Sequence, residues 1–233
     1  MFDSKKVLLR PGMRTLALTA VMVVLAAFTH AQEVVDKTVA SISDGTRTEL
    51  VTYSELMWQL ALQPNVPIDP PRADDLNAAL RRLIDQRLFS LEADRLPRPA
   101  PTDAEIKREI DKIVRYFPSP AVFESRLKGV GFDSVKDENF ERLIAQRLSI
   151  ENYIEFRFRS FIVVTPEDAA VYFREVYAPD FRKRYPGLLM PTLDEKRAEM
   201  SSILTEERIA LRLESFLDDV KRRADIEILS EPF

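Results

Sequence analysis

The chain has 233 residues, with no cysteine, one histidine, five glycines and a formal net charge of −4. The absence of cysteine excludes disulfides and a cysteine nucleophile. Five glycines, as they are spaced here, do not spell the GxGxxG dinucleotide motif or the GxxxxGK[ST] phosphate loop, so nucleotide enzymes of those kinds are excluded as well.

Residues 1–31 have the pattern of a removable export signal. The first 14 residues are basic, an apolar run of 13 residues extends from Leu16 to Phe28, and Thr29-His30-Ala31 resembles a cleavage site for small residues. A retained membrane anchor is the alternative, but a span needs about 20 apolar residues. We therefore expect a signal peptide over residues 1–31, cleavage near Ala31, a periplasmic location and no stable membrane insertion afterwards.

Removal of the signal changes the net charge and the histidine content of the remaining chain. It leaves 30 basic and 37 acidic side chains, a formal charge of −7, and it removes His30, the only histidine. The usual zinc ligands and the Ser-His-Asp triad are then excluded. An acidic chain also lacks the positive surface that nucleic-acid binding requires. Carboxylate chemistry or binding without catalysis remains, and we expect no cofactor and no metal.

Two strands are predicted at the start of the mature chain and one at its end. Thr38 to Ser43 and Thr48 to Val51 flank Asp44-Gly45, which favours a hairpin with a tight two-residue turn. Residues Asp225 to Leu229 alternate between polar and apolar types, which predicts a final strand.

Helices are predicted over most of the chain between these strands. Their starts are marked by capping boxes or by a proline at the first helical position. The clearest helix, Asp74 to Arg95, carries Leu76, Leu80, Leu83, Ile84, Leu88 and Leu91 on one face. Of the other predicted helices, one runs from about Ser134 to Arg159. The rest begin after Thr52 (to Gln63), Thr102, Ser119 (stopping at Gly129), Thr165 and Thr192 (to Arg223).

Two of these helices have apolar residues on more than one face. Tyr153 and Phe156 lie opposite the main stripe of the helix from Ser134 to Arg159, so they either meet a second packing partner or line an exposed groove. The last helix changes its apolar face midway, from a face with Met200 and Leu211 to one with Ile209 and Phe216. We expect its two halves to pack against different parts of the protein.

The order of these elements resembles the SurA-like periplasmic chaperones and, more loosely, the peptide-binding part of trigger factor. The similarity lies in the hairpin around Asp44-Gly45, the segment from Leu80 to Leu88, the linked helices and the strand from Ala224 to Leu229. It implies a mainly α fold with a small β-sheet, in which the N-terminal hairpin pairs with the C-terminal strand.

The resemblance also implies a domain organisation. Residues 32–164 and 192–233 would form a discontinuous helical chaperone core. Residues 165–191 would hold a short helix and a proline-rich insert in the place where the family usually has a parvulin prolyl isomerase domain. The missing histidines and glycines of such a domain agree with its absence, so we expect no enzyme activity.

We expect this protein to bind unfolded or extended polypeptide clients through an apolar cleft without ATP. The candidate client-binding residues are Trp58, Tyr153 and Phe156, which fit the apolar stripes of their own helices poorly. We add Met57 and Phe132 to this set. Ordinary core packing is the alternative for each of them. Residual isomerase activity and dedicated assembly of one partner remain open alternatives for the function, and the oligomeric state is open as well.

Overall fold

The structure is a computed structural model that describes residues 36–96 and 98–231. The predicted export signal lies outside the described residues. The chain divides into two compact units, residues 1–36 and residues 37–233, and all the described helices and strands belong to the second. Within the described residues the fold is mainly helical with a small antiparallel sheet, as the sequence predicts.

The sheet joins the two ends of the described chain. Its strands are β1 (Thr38–Ser43), β2 (Thr48–Thr52) and β3 (Asp225–Ile228), and β1 lies between the other two. Both pairings are antiparallel, with Ser41 opposite Leu50 on one side and opposite Glu227 on the other. The predicted pairing of the N-terminal hairpin with the C-terminal strand is confirmed.

The hairpin turn differs from the predicted one. Four residues, 44–47, connect β1 to β2, so the expected two-residue turn is wrong. The carboxylate of Asp44 accepts hydrogen bonds from the backbone N–H groups of Thr46 (2.9 Å) and Arg47 (2.8 Å). Gly45 has a φ of 85°, which suits glycine. The side chain of Asp44 thus supplies bonds that a tighter turn would make with backbone alone.

The described residues contain these α-helices: α1 (Tyr53–Ala61), α2 (Ala73–Ala93), α3 (Asp103–Val114), α4 (Pro120–Gly129), α5 (Glu138–Arg157), α6 (Pro166–Tyr172), α7 (Ala178–Arg184) and α8 (Leu193–Arg223). Capping boxes formed by a threonine and an acidic residue begin α1, α3, α6 and α8. Helix α5 begins four residues later than predicted, because Asp137 caps it by accepting the N–H of Asn139 at 2.9 Å.

The first core cluster lies between the sheet, α1, α2 and the end of α8. It contains the predicted leucine stripe of α2 together with Val39, Ile42, Leu56, Leu60 and Val220. Arg87 is buried beside this cluster, where its guanidinium donates to the carbonyl of Leu50 at 3.2 Å and pairs with Glu55. The ion pair therefore fixes β2 and the start of α1 against α2.

The second core cluster lies between α3, α4 and the first half of α5. Phe123, Phe140, Leu127 and Ile144 are completely buried there. Arg126 of α4 links this cluster to α1, since its guanidinium donates to four carbonyl groups just after or within the end of that helix: Leu60, Ala61, Gln63 and Val66. These bonds hold the end of α1 and the segment that follows it against α4.

The segment 165–191 forms an insert that packs against the first half of α8. A single π-helical turn, Phe173–Tyr177, connects α6 directly to α7. Pro179 lies in the first turn of α7, so the chain stays helical past this proline. A proline lacks the N–H group that an ordinary helix would use at this point, and the π turn accommodates that loss.

Helix α8 does pack its two halves against different parts of the protein. Its first half lies on α6 and the π turn, where Met200 is fully buried. Its second half lies on α2, where Val220 belongs to the first core cluster. Leu211, predicted to share the face of Met200, is instead 66 % exposed at the change between the two halves.

Candidate functional site

The five predicted client-binding residues do not form one surface. Phe132 and Tyr153 are buried, with 3 % and 2 % of their surface exposed. Met57 and Trp58 are half-buried against the first and second core clusters. Phe156 alone among the five is a strongly exposed side chain, at 54 %.

Trp58 and Phe132 pack against each other within the second core cluster. Their ring centroids are 5.0 Å apart, and the indole N–H of Trp58 donates to the carbonyl of Val130 at 3.1 Å. Core packing accounts for both residues, because the segment around Phe132 covers the face of α1 that the helix pattern left unexplained. Met57 packs against the first core cluster, and none of these three residues lines the cavity that contains Tyr153 and Phe156.

Tyr153 and Phe156 do meet in one cavity, which we call the aromatic groove. It has a volume of about 510 Å³ and lies between the end of α2, the end of α5 and α8. Its lining consists of apolar residues with a charged margin: Glu92, Arg95, Leu96, Tyr153, Phe156, Arg157, Phe161 and Phe216. A volume of this size is typical of pockets that accept organic ligands or side chains.

The floor of the aromatic groove belongs to a third core cluster, which is built from aromatic rings. Phe89 of α2 and Phe216 of α8 stack with centroids 5.6 Å apart, and Phe216 also meets Phe158 at 5.2 Å. Tyr153 lies against the same rings, 6.4 Å from Phe89 and 6.3 Å from Phe216. Tilted and edge-on contacts at these distances are the favourable arrangements for aromatic pairs.

Arg98 packs against Tyr153 and so stabilises the floor of the groove. Its guanidinium lies 5.0 Å from the centre of the Tyr153 ring and donates to the carbonyls of Ser149 and Ala93, each at 3.3 Å. These bonds connect the end of α2 to α5, the two helices that form one side of the groove. Tyr153 is therefore packed in place from two directions and forms a fixed surface.

The rim of the aromatic groove is apolar and exposed. Leu96, Phe156 and Phe161 have 40 %, 54 % and 62 % of their surface open to solvent. They come from three places in the chain: the segment after α2, the last turn of α5 and the short 3₁₀ turn that follows it. Exposed apolar groups that gather around a cavity in this way mark binding surfaces.

Charged side chains border the groove beside Tyr153. Glu92 lies within an ion-pair distance of 3.1 Å from Arg95, which also pairs with Asp44 at 2.9 Å. Burial, followed by the negative charge of Glu92, raises the pKa of Tyr153 above its usual value, while Arg157 acts in the opposite direction. The shift reflects how deeply Tyr153 is buried in the floor of the groove.

A second cavity, of about 460 Å³, adjoins the aromatic groove at Leu96, which lines both. Its lining is mixed: besides Leu96 and other apolar residues, it includes the polar side chains of Arg47, Asp94, Ser149 and Asn152. The two cavities together offer apolar contacts on one side of Leu96 and hydrogen-bonding groups on the other.

Sequence reasoning missed three residues of the groove: Leu96, Phe161 and Phe216. Phe216 lies on the second apolar face of the last predicted helix, a position that favours core packing. Leu96 and Phe161 both follow the end of a long helix, outside any periodic stripe. An apolar residue next to a helix end is the signal that would have found them.

Within residues 36–96 and 98–231 we find no group of three or more acidic side chains arranged to hold a metal ion. None of the helices in that same part of the chain combines the length and the hydropathy needed to span a bilayer. No protein-family model matches this chain, and no curated protein sequence matches it either.

Proposed function

We propose that this protein is an ATP-independent chaperone that binds non-native exported polypeptides in the aromatic groove. The observation that carries the proposal is the exposure of Leu96, Phe156 and Phe161 around an aromatic floor that is itself packed and fixed. Unfolded chains expose the aromatic and aliphatic side chains that such a surface accepts.

The energetics suit reversible holding. Each Å² of apolar surface that leaves water contributes about 25 cal/mol. Burial of one client side chain against Phe156 then contributes about 1.5–3 kcal/mol of binding free energy. Each single contact is therefore weak, and several client segments that bind in succession add to the affinity. A fixed floor reduces the ordering cost, because Tyr153 and Phe216 are already immobilised by their neighbours.

The hydrogen-bonding groups of the neighbouring cavity support an extended polypeptide as the ligand. A client has backbone N–H and C=O groups that need partners when they leave water. Asp94, Ser149 and Asn152 lie on the polar side of Leu96 and provide such groups within reach of a chain that crosses it. A client with an apolar side chain in the groove and its backbone over the polar groups of the second cavity would use both surfaces.

Two sequence features support the same proposal. The predicted export signal would place the mature chain in a compartment without ATP, and the resemblance to SurA-like chaperones implies holding of exported clients. We propose binding without catalysis, with no cofactor, by residues 32–164 and 192–233. We assign the main client contacts to Phe156 from the predicted set and to Leu96 and Phe161 from the structure, with Tyr153 and Phe216 as the floor beneath them.

Suppression of aggregation tests the proposal. The mature chain should slow the aggregation of a urea-denatured outer-membrane protein after dilution, without ATP. The double variant Phe156→Ser/Phe161→Ser should lose most of this effect. The matched control is Tyr116→Ser/Val122→Ser, which removes side chains that are 65 % and 41 % exposed elsewhere. Equal activity of the groove variant and the control variant would refute the assignment to the groove.

A further inference from the structure

The insert ends in a tight turn that presents apolar side chains. The N–H of Leu188 donates to the carbonyl of Tyr185 at 3.2 Å, with Pro186 and Gly187 between them. Gly187 has a φ of 93°, and proline followed by such a glycine is typical of a type II turn. This turn directly follows α7 and fixes the backbone between Tyr185 and Leu188.

The side chains at this turn are among the most exposed apolar groups of the described residues. Leu189 is 96 % exposed, Leu188 65 % and Tyr185 50 %. An almost completely exposed leucine protrudes from the surface and does not line a cavity. We call Tyr185, Leu188 and Leu189, together with the basic residues next to them, the insert tip.

The basic residues of the insert tip are Arg182, Lys183 and Arg184, in the last turn of α7. No acidic residue occurs between positions 181 and 193. The flanking acids are already paired: Asp180 with Arg184 at 2.9 Å and Asp194 with Arg197 at 2.7 Å. Arg182 and Lys183 form no ion pair with any described residue, so the tip is a positive patch on a chain whose charge is negative overall.

A ladder of aromatic rings supports the tip. Phe173, Tyr177, Phe181 and Tyr185 follow each other at intervals of four residues, with centroids 5.3, 5.9 and 5.2 Å apart. Lys196 of α8 lies 5.8 Å from the ring of Tyr177. The ladder connects the tip to the packed part of the insert, so that the exposed leucines are held in position.

We propose that the insert tip binds the surface of an anionic lipid membrane. Protruding leucines can enter the interface between headgroups and acyl chains, a tyrosine suits the headgroup level, and basic side chains are attracted to anionic lipids. A polypeptide client is expected to bind a concave apolar surface such as the aromatic groove, whereas the side chains of the insert tip protrude. The proposal concerns the tip alone and does not depend on the function of the groove.

Vesicle flotation tests this proposal. The chain from Gln32 onward is used, because it contains the whole compact unit of residues 37–233 and lacks the apolar run of residues 16–28. It should float with vesicles of 30 % phosphatidylglycerol and 70 % phosphatidylethanolamine, remain unbound with pure phosphatidylcholine, and be released by 0.5 M salt. Equal binding to both lipid compositions, or no binding to either, would overturn the proposal.

Variants separate the two contributions. Each basic residue near an anionic surface increases the affinity for that surface by about fivefold. The triple variant Arg182→Gln/Lys183→Gln/Arg184→Gln should therefore weaken vesicle binding by about 100-fold. Leu188→Ser/Leu189→Ser should weaken it by at least about tenfold. Lys107→Gln/Arg108→Gln/Arg115→Gln makes the same charge change on exposed residues of α3 and its end, and should bind as the parent chain does.

Two results would contradict the assignment. An equal loss of vesicle binding in the α3 variant would mean that net charge, and not the tip, determines binding. Unchanged vesicle binding by both tip variants, with loss of aggregation suppression, would assign the tip to polypeptide clients instead. Circular dichroism and thermal unfolding identify any variant that fails to fold. The conservative variant Leu188→Met/Leu189→Met keeps the apolar character of the tip and should bind vesicles as the parent chain does.

Discussion

The ring of Phe158 meets the ring of Phe216 edge-on, with centroids 5.2 Å apart. Phe158 ends α5 and Phe216 lies in the second half of α8, so this contact brings together segments that the insert separates in the chain. The same two rings belong to the packed floor beneath the exposed rim of the aromatic groove. Stability and the binding surface are therefore coupled at this point.

Phe216 should be the residue of the groove that matters most for stability. Phe216→Ala removes its contacts with Phe89, Tyr153 and Phe158 and should lower the free energy of unfolding by about 3 kcal/mol, near the lower end for phenylalanine because the ring is half-buried. Phe216→Leu, which keeps most of the apolar volume, should cost about 1 kcal/mol. Urea unfolding measures both, and equal stability of the alanine variant and the parent chain would contradict the packing described.

Glu55 should contribute more to stability than an ordinary capping residue. It accepts the backbone N–H of Thr52 at 3.0 Å in the capping box of α1 and also pairs with buried Arg87. Glu55→Ala leaves the buried guanidinium with only the more distant carboxylate of Glu49, at 3.9 Å, and should cost about 3 kcal/mol.

Glu105 provides a matched control for this change. It completes the equivalent capping box of α3, where it accepts the N–H of Thr102 at 2.8 Å but has no buried arginine as a partner. Glu105→Ala should cost about 1 kcal/mol. Urea unfolding of the two variants gives the difference, and similar costs would show that the pair with Arg87 adds nothing.

Asp44 should make stability depend on pH in the acid range. Hydrogen bonds from the Thr46 hydroxyl and from Arg95, and then from the backbone N–H groups of the turn, hold the pKa of Asp44 well below its usual value. A lowered pKa in the folded state means that this stabilisation is complete above the pKa of the unfolded chain, near 4, and is lost as pH falls toward the folded pKa.

The variant Asp44→Asn isolates this contribution. At pH 7 it should unfold at a lower temperature than the parent chain, and the difference in Tm should shrink steadily below pH 4. Asp94→Asn is a suitable comparison, because Asp94 is an exposed carboxylate paired with Arg47 from the same turn at 3.0 Å. A difference for Asp44→Asn that stays constant down to pH 2.5 would exclude the proposed pH dependence.

The secondary structure could largely be predicted from local signals. The capping boxes at Thr52, Thr102 and Thr192 begin helices where the sequence places them, because the bonds involved connect residues only three apart. The pairing of β3 with β1 needed more than local signals, and it rested on the resemblance to a family. The prediction of a two-residue turn at Asp44-Gly45 was wrong. Hydrogen bonds to the side chain of Asp44 stabilise a connection of four residues between the two strands.

The site could be predicted only in part, because burial depends on distant segments. Tyr153 and Phe156 are 60° apart on an ideal helix, so periodicity gives them the same face. The structure separates them because α2 and α8 cover Tyr153 but leave Phe156 exposed. Similarly, nothing close to Trp58 in the sequence indicates that Phe132, from a loop beyond α4, covers its ring.

Site-specific photo-crosslinking tests the central claim most directly. A photoreactive phenylalanine analogue is placed at Phe156 or Phe161 in the groove, or at exposed Tyr116 of the segment after α3, and each protein is irradiated with a urea-denatured outer-membrane protein that has just been diluted. The account predicts strong crosslinks to the client from positions 156 and 161 and weak ones from position 116. Equal crosslinking from all three positions, or crosslinks from position 116 alone, would contradict the aromatic groove as the client-binding site.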